Sequence, residues 1–258
     1  MQNITHIYFD EIDSTNEELK RRYRSVEKPA GWTVVSAGHQ TAGKGRSGHQ
    51  WKSPTEDSVA TSMIFYPKVG IRHVPRLTIL AGMAVASALE KLYDLPTRLK
   101  WPNDVLINEK KVCGILCEME PDGDHAAYVV VGIGVNVHQK EFPEEIRGMA
   151  TSVDLALQKS GRDQKSSRRD IDRQIWLEFA RLYEAFEKTE DLSALQEEYN
   201  SRLVNVNQTV RILDPLGEYT AQSLGIDKQG DLLVKKEDGS LVAVNSGEVH
   251  VRGIYGYV

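Results

Sequence analysis

Apolar residues recur at three- and four-residue spacing through Leu77, Leu80, Ala81, Ala84, Val85, Ala88, Leu89 and Leu92, which predicts a helix burying one face. Ile171, Ile175, Phe179, Leu182 and Phe186 predict a second near 170–188, and a third is expected near 192–203. Nearer the start, Ser14 and Thr15 each precede a glutamate by three residues, Glu17 and Glu18, two overlapping capping-box patterns for a helix running to about Arg24. Elsewhere the pattern is β-like. Thr33 to Ala37 and Val59 to Tyr66 read as strands on either side of a glycine-rich loop. Arg98 to Val137 breaks into short β runs at Pro102-Asn103-Asp104, Asn108-Glu109 and Pro121-Asp122-Gly123, which are turn compositions, so a sheet built from hairpins is expected.

The texture changes near Asn205. Short β runs follow at Thr209 to Leu213, Tyr219 to Ile226, Asp231 to Lys236 and Leu241 to Asn245, with Gly217, Gly230 and Asp238-Gly239 at turns. Two units are expected: an α/β domain over 1–204 and a small β-barrel-like domain over 205–258.

Composition narrows the class. The 258 residues are 40% hydrophobic and 27% charged with no low-complexity tract, which is ordinary for a globular protein. The start, MQNITHIYFDEID, lacks the basic and apolar regions of a signal peptide, and no run approaches the ~20 apolar residues of a membrane span. A cytoplasmic enzyme without a membrane partner is therefore expected. Net charge is −5 with dispersed basic residues, which argues against a broad nucleic-acid footprint. Cys113 and Cys117, four apart on an expected strand, would lie roughly 13 Å apart, too far for a disulfide. With no histidine nearby they make a poor zinc site and read as buried thiols.

Three segments carry candidate chemistry. In Gly38 to Trp51, GHQTAGKGRSGHQW, glycines let backbone N–H groups approach an anion while Lys44 and Arg46 supply charge, which suits phosphate or carboxylate binding better than a merely solvated loop. The GxxxxGK spacing of Gly38, Gly43 and Lys44 imitates a nucleotide-binding phosphate loop, but Gly45 stands where that motif needs Ser or Thr and the pattern downstream is β. In Arg98 to Glu120, Lys100, Asn103, Asp104, Lys110 and Lys111 flank a turn and a hairpin, which fits a nucleotide clamp and equally a charged surface. In VVGIGVNV, Val130 to Val137, Asn136 is a lone amide in an apolar strand, either satisfied internally or turned to a ligand.

Taken in order, DSTN at Asp13 to Asn16, QTAGKGRSGHQW at Gln40 to Trp51, KWPNDV at Lys100 to Val105, KVCGIL at Lys111 to Leu116 and GIGVNV at Gly132 to Val137 resemble the biotin protein ligases over nearly the whole chain. The resemblance implies a mixed-sheet catalytic domain followed by a small SH3-like β-barrel domain. It implies that ATP with Mg²⁺ converts biotin to biotinyl-5′-AMP and pyrophosphate, and that a carrier-domain lysine then takes the acyl group. By resemblance Lys111, Arg46 and Lys44 counter the charge of two approaching anions, Lys111 foremost. Asp104 either receives the proton of the attacking lysine or holds Mg²⁺.

The same resemblance places Ser14, Thr15, Asn16, Gln40, Gly43, Lys44, Arg46, Lys111 and Gly114 on the biotin side. Arg46, His49, Trp51, Asn103, Asp104, Lys111 and Asn136 fall on the ATP side, with Trp51 closing the loop over the intermediate to exclude water. Ser14 and Thr15 serve equally well as helix caps. Lys44, Ser47 and His49 replace arginines of the family loop, so activity is expected to vary with pH around ~6.5, the range where histidine titrates. Some relatives carry an amino-terminal DNA-binding domain; this chain is expected to lack one and to bind no nucleic acid. The implied partner is the biotin carboxyl carrier domain of acetyl-CoA carboxylase, pyruvate carboxylase or both, and homodimerisation through a sheet edge is left open. The rival readings are a lipoate or octanoate ligase or transferase, disfavoured by a site made for ureido hydrogen bonds, and a non-catalytic ligand-binding module.

Overall fold

The computed structural model describes residues 3–52, 56–214, 217–246 and 250–253. The first unit contains β1 (Thr5–Ile12), α1 (Thr15–Arg24), β2 (Thr33–Gln40), β3 (Ser58–Phe65), α2 (Arg76–Tyr93), β4 (Thr97–Lys100), β5 (Asp104–Ile107), β6 (Lys110–Asp122) and β7 (His125–Asn136). Three helices follow, α3 (Val153–Lys159), α4 (Arg168–Thr189) and α5 (Gln196–Arg202). The strands form one seven-stranded mixed sheet in the order β1-β2-β3-β7-β6-β5-β4. Among the described strands only β1 and β2 pair in parallel, which demands a crossover, and α1 supplies it.

Strand alternation separates the two faces of this sheet. Val35, Ile64, Tyr128 and Val130 pack with Leu19 of α1. Their neighbours Val34, Met63, Phe65, Val129 and Val131 point the other way into the main core with α2 and α4. The apolar repeat of α2 is realised at full strength: Leu77, Leu80, Ala81, Ala84, Val85, Ala88 and Leu89 are all fully buried.

The second unit is a five-stranded antiparallel sheet of β8 (Thr209–Asp214), β9 (Gly217–Ile226), β10 (Leu232–Lys235), β11 (Leu241–Val244) and β12 (His250–Gly253), in the order β11-β10-β9-β8-β12. It docks firmly on the first. Val210, Ile212, Ile226, Leu232 and Val234 share the main core. Trp101 Nε1 donates to the Gly230 carbonyl at 3.0 Å, Arg76 Nε to the Gln229 carbonyl at 2.8 Å, and Asn200 both donates to and accepts from Ile226.

Several elements differ from the sequence expectation. β1 is an edge strand with no fully buried residue, so it lacks the alternation that marks a strand. α3 and β12 are too short to show a period. α5 begins at Gln196 rather than 192, because Leu192 to Leu195 form a turn tied to the Lys228 carbonyl. The capping boxes are not formed: Ser14 holds the N-cap position with extended backbone, yet its side chain makes no cap bond. Instead Asp13 accepts from the Ser14 N–H at 2.7 Å and grips Arg21 with both oxygens. Cys113 and Cys117 are free thiols on β6; burial pushes both up, Cys117 to about 12. No described helix is long and apolar enough to cross a membrane.

Candidate active site

Register places a line of very small residues across the face that carries α1. Ala37 on β2 pairs with Ala60 on β3, Ala60 with Gly134 on β7, Gly134 with Gly114 on β6, and Gly114 with Asp104 on β5. Directly paired residues share a face, so four strands contribute no more than a methyl group and the fifth a carboxylate. α1 covers the neighbouring rows and leaves this one to other segments.

At the charged end, Lys111 Nζ lies 2.6 Å from Asp104 Oδ1. A register shift between Val105 and Leu106, where β5 meets β6, turns Lys111 toward the row. A Cβ on Gly114 would stand 3.2 Å from Lys111 Cε and Nζ, so glycine makes room for the ammonium group. Lys111 is pinned on its other side by the chain after β7: its N–H donates to the Met149 carbonyl at 2.7 Å and its carbonyl accepts from Thr151 at 2.9 Å. Lys100 is buried at the same turn, on the residue paired with Asp104.

The glycine-basic loop closes over the row. Trp51 N–H donates to the Gly43 carbonyl at 3.0 Å, Gly45 N–H to the His49 carbonyl at 2.7 Å, and Lys44 pairs with Gln50, so 43–51 is a narrow two-armed ribbon. Its tip is a short 3-10 turn, Arg46–Gly48, not the helix a phosphate-loop motif requires. Trp51 lays its indole on the bare row: a Cβ on Gly134 would come within 2.3 Å of the ring, and one on Gly114 within 3.1 Å. The indole Nε1 is buried without a hydrogen-bond partner, a donor placed where a ligand oxygen would satisfy it. Arg46 is half-buried; burial pulls its pKa down and Asp104 opposes this, and it stays a cation. Arg46 Nη2 also donates to the Ser246 carbonyl, so the second unit touches the loop directly. A polar cavity of about 220 Å³ lies on that flank between Arg76, Pro102, Gln229, Asp231 and Asn245. His49 is exposed at the ribbon's tip.

At the other end of the site, the Thr15 N–H and hydroxyl both donate to Gln40 Oε1, at 2.8 and 3.0 Å, and Thr15 Oγ1 meets Ser62 Oγ at 2.6 Å. Ser62 donates to Asn16 Oδ1 at 2.5 Å, and Asn16 Nδ2 donates to Glu118 at 2.7 Å. Asn16 fits only because Gly132 beneath it has no side chain; a Cβ there would lie 2.2 Å from Asn16 Oδ1. Thus Thr15, Asn16, Gln40, Gly43, Arg46, Trp51, Asp104 and Lys111 gather at the row that contains Gly114, while Ser14 holds the N-cap of α1 beside them and Lys44 turns to Glu17. The three asparagines share one feature, and for Asn136 it is the internally satisfied reading. Each directs its amide nitrogen at protein: Asn16 at Glu118, Asn103 at the Ile115 carbonyl (3.2 Å), and Asn136 at the Thr151 carbonyl (3.1 Å). They brace the walls of the site. Arg211 is likewise tied to Glu218, and Lys236 lies over the Tyr219 ring.

Sequence reasoning missed Ala37, Ala60, Ser62, Glu17 and Glu118. The available signal was the small residues in strand contexts, where Gly and Ala are depleted: Ala37-Gly38, Ala60-Thr61-Ser62, Gly132 and Gly134.

Comparison with known proteins agrees with this geometry. Residues 8–136 match the biotin/lipoate A/B protein ligase family, and residues 206–252 match the biotin protein ligase C terminal domain. The chain is 33% identical over 236 residues to the bifunctional ligase/repressor BirA of Bacillus spizizenii, covering 91% of this chain and 70% of that protein. It is 33% identical over 248 residues to a biotin–[acetyl-CoA-carboxylase] ligase of Mycobacterium tuberculosis, covering 93% and 86% respectively. A biotin protein ligase from Aquifex aeolicus, solved in complex with biotin and ATP, superposes with a TM-score of 0.81 at 30% identity, over 96% of this chain and 99% of that one. The ribbon, the bare row with its Lys111–Asp104 end and the docked β unit are thus those of a member of the biotin/lipoate A/B protein ligase family, to which this chain belongs.

Proposed function

We infer that the protein is an ATP-dependent biotin–protein ligase, and the observation that carries this reading is the bare row that ends on the Lys111–Asp104 pair beneath a cationic ribbon. With the Trp51 indole lifted off Gly134 and Gly114, a flat acid can lie along the row as no larger side chains would allow, its ring toward the hydroxyl and amide groups of Ser14, Thr15 and Gln40, and the indole then covers it. Buried ureido N–H and C=O groups cost a few kcal/mol unless paired, so polar residues belong at that end. The carboxylate then points at Lys111.

In the first step a carboxylate oxygen attacks the α-phosphorus of ATP, the bond to the β-phosphate breaks, and pyrophosphate leaves with the electron pair. Two anions approach each other, and Lys111 and Arg46 lower the cost by standing where charge accumulates. Asp104 keeps the Lys111 ammonium oriented. In the second step the amine of a biotin carboxyl carrier protein lysine attacks the acyl carbon, an amide forms and AMP leaves. That amine, with a solution pKa near ~10.4, must lose a proton, and Asp104 is placed to accept it.

Magnesium fits as an ion carried chiefly by the triphosphate, with Asp104 as its protein carboxylate. No cluster of three His, Cys, Asp or Glu side chains among the described residues could cage it without the phosphates. When bound it neutralises phosphate charge. We further propose a division of labour near residue 204, a cytoplasmic location suited to the free thiols, and the carrier domain of acetyl-CoA carboxylase or pyruvate carboxylase as acceptor. A net charge of −5 supports action without nucleic acid. A homodimer, if formed, would pair through an edge strand such as β1.

Incubation with biotin, ATP and Mg²⁺ in the absence of any carrier, followed by mass spectrometry, should yield biotinyl-5′-AMP, with no corresponding product from lipoate or octanoate. Formation of lipoyl- or octanoyl-AMP instead, or biotin binding without any adenylate, would contradict the reading.

A further inference from the structure

One bond from the ribbon to the rest of the protein comes from a residue in the first turn of α1. Glu17 Oε1, in the first turn of α1, accepts from Lys44 Nζ at 2.6 Å and from Lys20 Nζ at 2.9 Å. Lys20 is itself anchored to β6 by Glu118 Oε1 at 2.5 Å, and the second oxygen of Glu118 holds Asn16. An unbroken polar chain therefore runs from Ser62 on β3 through Asn16, Glu118, Lys20 and Glu17 to Lys44. Lys44 lies on the first arm of the ribbon, and the second arm delivers Trp51 to Gly134 and Gly114.

We propose that Glu17 is a positioning residue for the ligase reaction: it tethers Lys44, and through Lys44 it holds the ribbon that carries Trp51 in its closed position over the row. The proposal rests on the reading of that row as the acyl-adenylate site. Glu17 stands on a braced base, since Lys20 and Glu118 fix its surroundings to the sheet, whereas Lys44 is half exposed and would otherwise be free to swing. The two ammonium groups, Lys44 first, also hold the Glu17 carboxyl below the usual carboxylate range, so it is charged wherever the enzyme works. An ion pair this exposed contributes little to global stability. Its effect is local, on the arm of the ribbon that carries Lys44 and pairs through Gln50 with the arm leading to Trp51. With the tether intact the closed ribbon retains the acid and shields the mixed anhydride from water.

Glu17→Gln, Lys44→Met and the double variant separate positioning from folding. In Glu17→Gln the KM for biotin and the rate at which biotinyl-5′-AMP escapes or hydrolyses should each rise about two- to fivefold, the range an exposed ion pair commands. The single-turnover rate of adenylation at saturating substrate should stay near wild type. In the Lys44→Met background the Glu17→Gln change should have no further effect. Unchanged KM and escape in Glu17→Gln, or effects of the two substitutions that simply multiply, would overturn the proposal. A second readout does not depend on the reaction: ligand-free Glu17→Gln should show a red-shifted tryptophan emission that disappears in the Trp51→Phe background. Absence of that shift also overturns it. If wild type makes no adenylate yet the shift is present, the functional reading fails and the tether stands.

Discussion

The two faces of the seven-stranded sheet are built from the same strands and oppose each other in almost every property. On the α2/α4 face the strands present Val34, Met63, Phe65, Val131 and Ile133 to an apolar layer. There Trp32, Phe65, Trp176, Phe179, Tyr183 and Phe186 form a continuous set of stacked, tilted and edge-on aromatic contacts. On the α1 face the paired positions shrink to Ala37, Ala60, Gly134 and Gly114, and the covering groups are a ribbon, an indole and charged side chains. One face is filled by the chain; the other is floored by it and left for something else. Stability is concentrated on the first and chemistry on the second.

That contrast can be broken by substitution. Phe179→Ala opens a cavity in the aromatic layer and should cost about 3–5 kcal/mol of stability, while adenylation per folded molecule below the melting transition stays near wild type. Parallel denaturant titration and initial-rate assays measure this. Lys111→Ala should do the reverse, lowering adenylation by roughly 10²–10³-fold, as loss of a charge-stabilising donor does, with little change in the denaturation midpoint. A comparable loss of both properties in either variant would mean that the faces are not separable.

A smaller effect sharpens the comparison through pH. Burial pushes the Asp172 carboxyl of α4 up, although Ser36 (2.6 Å) and Trp176 (3.0 Å) donate to it. Lys44 and Lys20 draw the Glu17 carboxyl of α1 down. The signs are opposite. A raised folded pKa means that stability falls as pH rises from the unfolded value toward the folded one, whereas the Glu17 contribution is complete above its unfolded value and is lost only as pH falls through the lower folded one. Asp172→Asn should therefore gain on the order of 1 kcal/mol at pH 8, roughly 2–4 °C in Tm, and the gain should shrink toward pH 4. Thermal melts across that range check it.

How much of this could be read from the chain depends on which interactions define each part. The burying helices announced themselves, because α2 and α4 repeat apolar residues over four turns or more, and the turn chemistry of Pro102-Asn103-Asp104 marked the hairpins. The charged members of the site, Lys44, Arg46, Asp104 and Lys111, stood out as chemistry-bearing types in unusual loops. The row itself did not, because Ala37, Ala60, Gly134 and Gly114 come from four strands that only register aligns. Glu17 was visible as half of a capping box, a local pattern, but its partner is Lys44, 27 residues away. The capping box failed for the same reason: the Thr15 hydroxyl finds Gln40 and Ser62 across the fold, and tertiary partners outcompeted the local bond.

The most direct test of the two-face account adds one methyl group to each face. Gly82, inside α2, would place a Cβ at ordinary contact distance, 3.6 Å from Leu99 and 3.7 Å from Ile115, whereas Gly134 would drive one into the Trp51 ring. Calorimetric titration of biotin into wild type, Gly82→Ala and Gly134→Ala reads both. The account predicts that Gly82→Ala binds as wild type and is stabilised by about 0.5–1 kcal/mol through helix propensity, while Gly134→Ala stays folded and loses affinity by roughly tenfold or more, as overpacking of 1–3 kcal/mol implies. Wild-type affinity in Gly134→Ala, or equal losses in both variants, would contradict it.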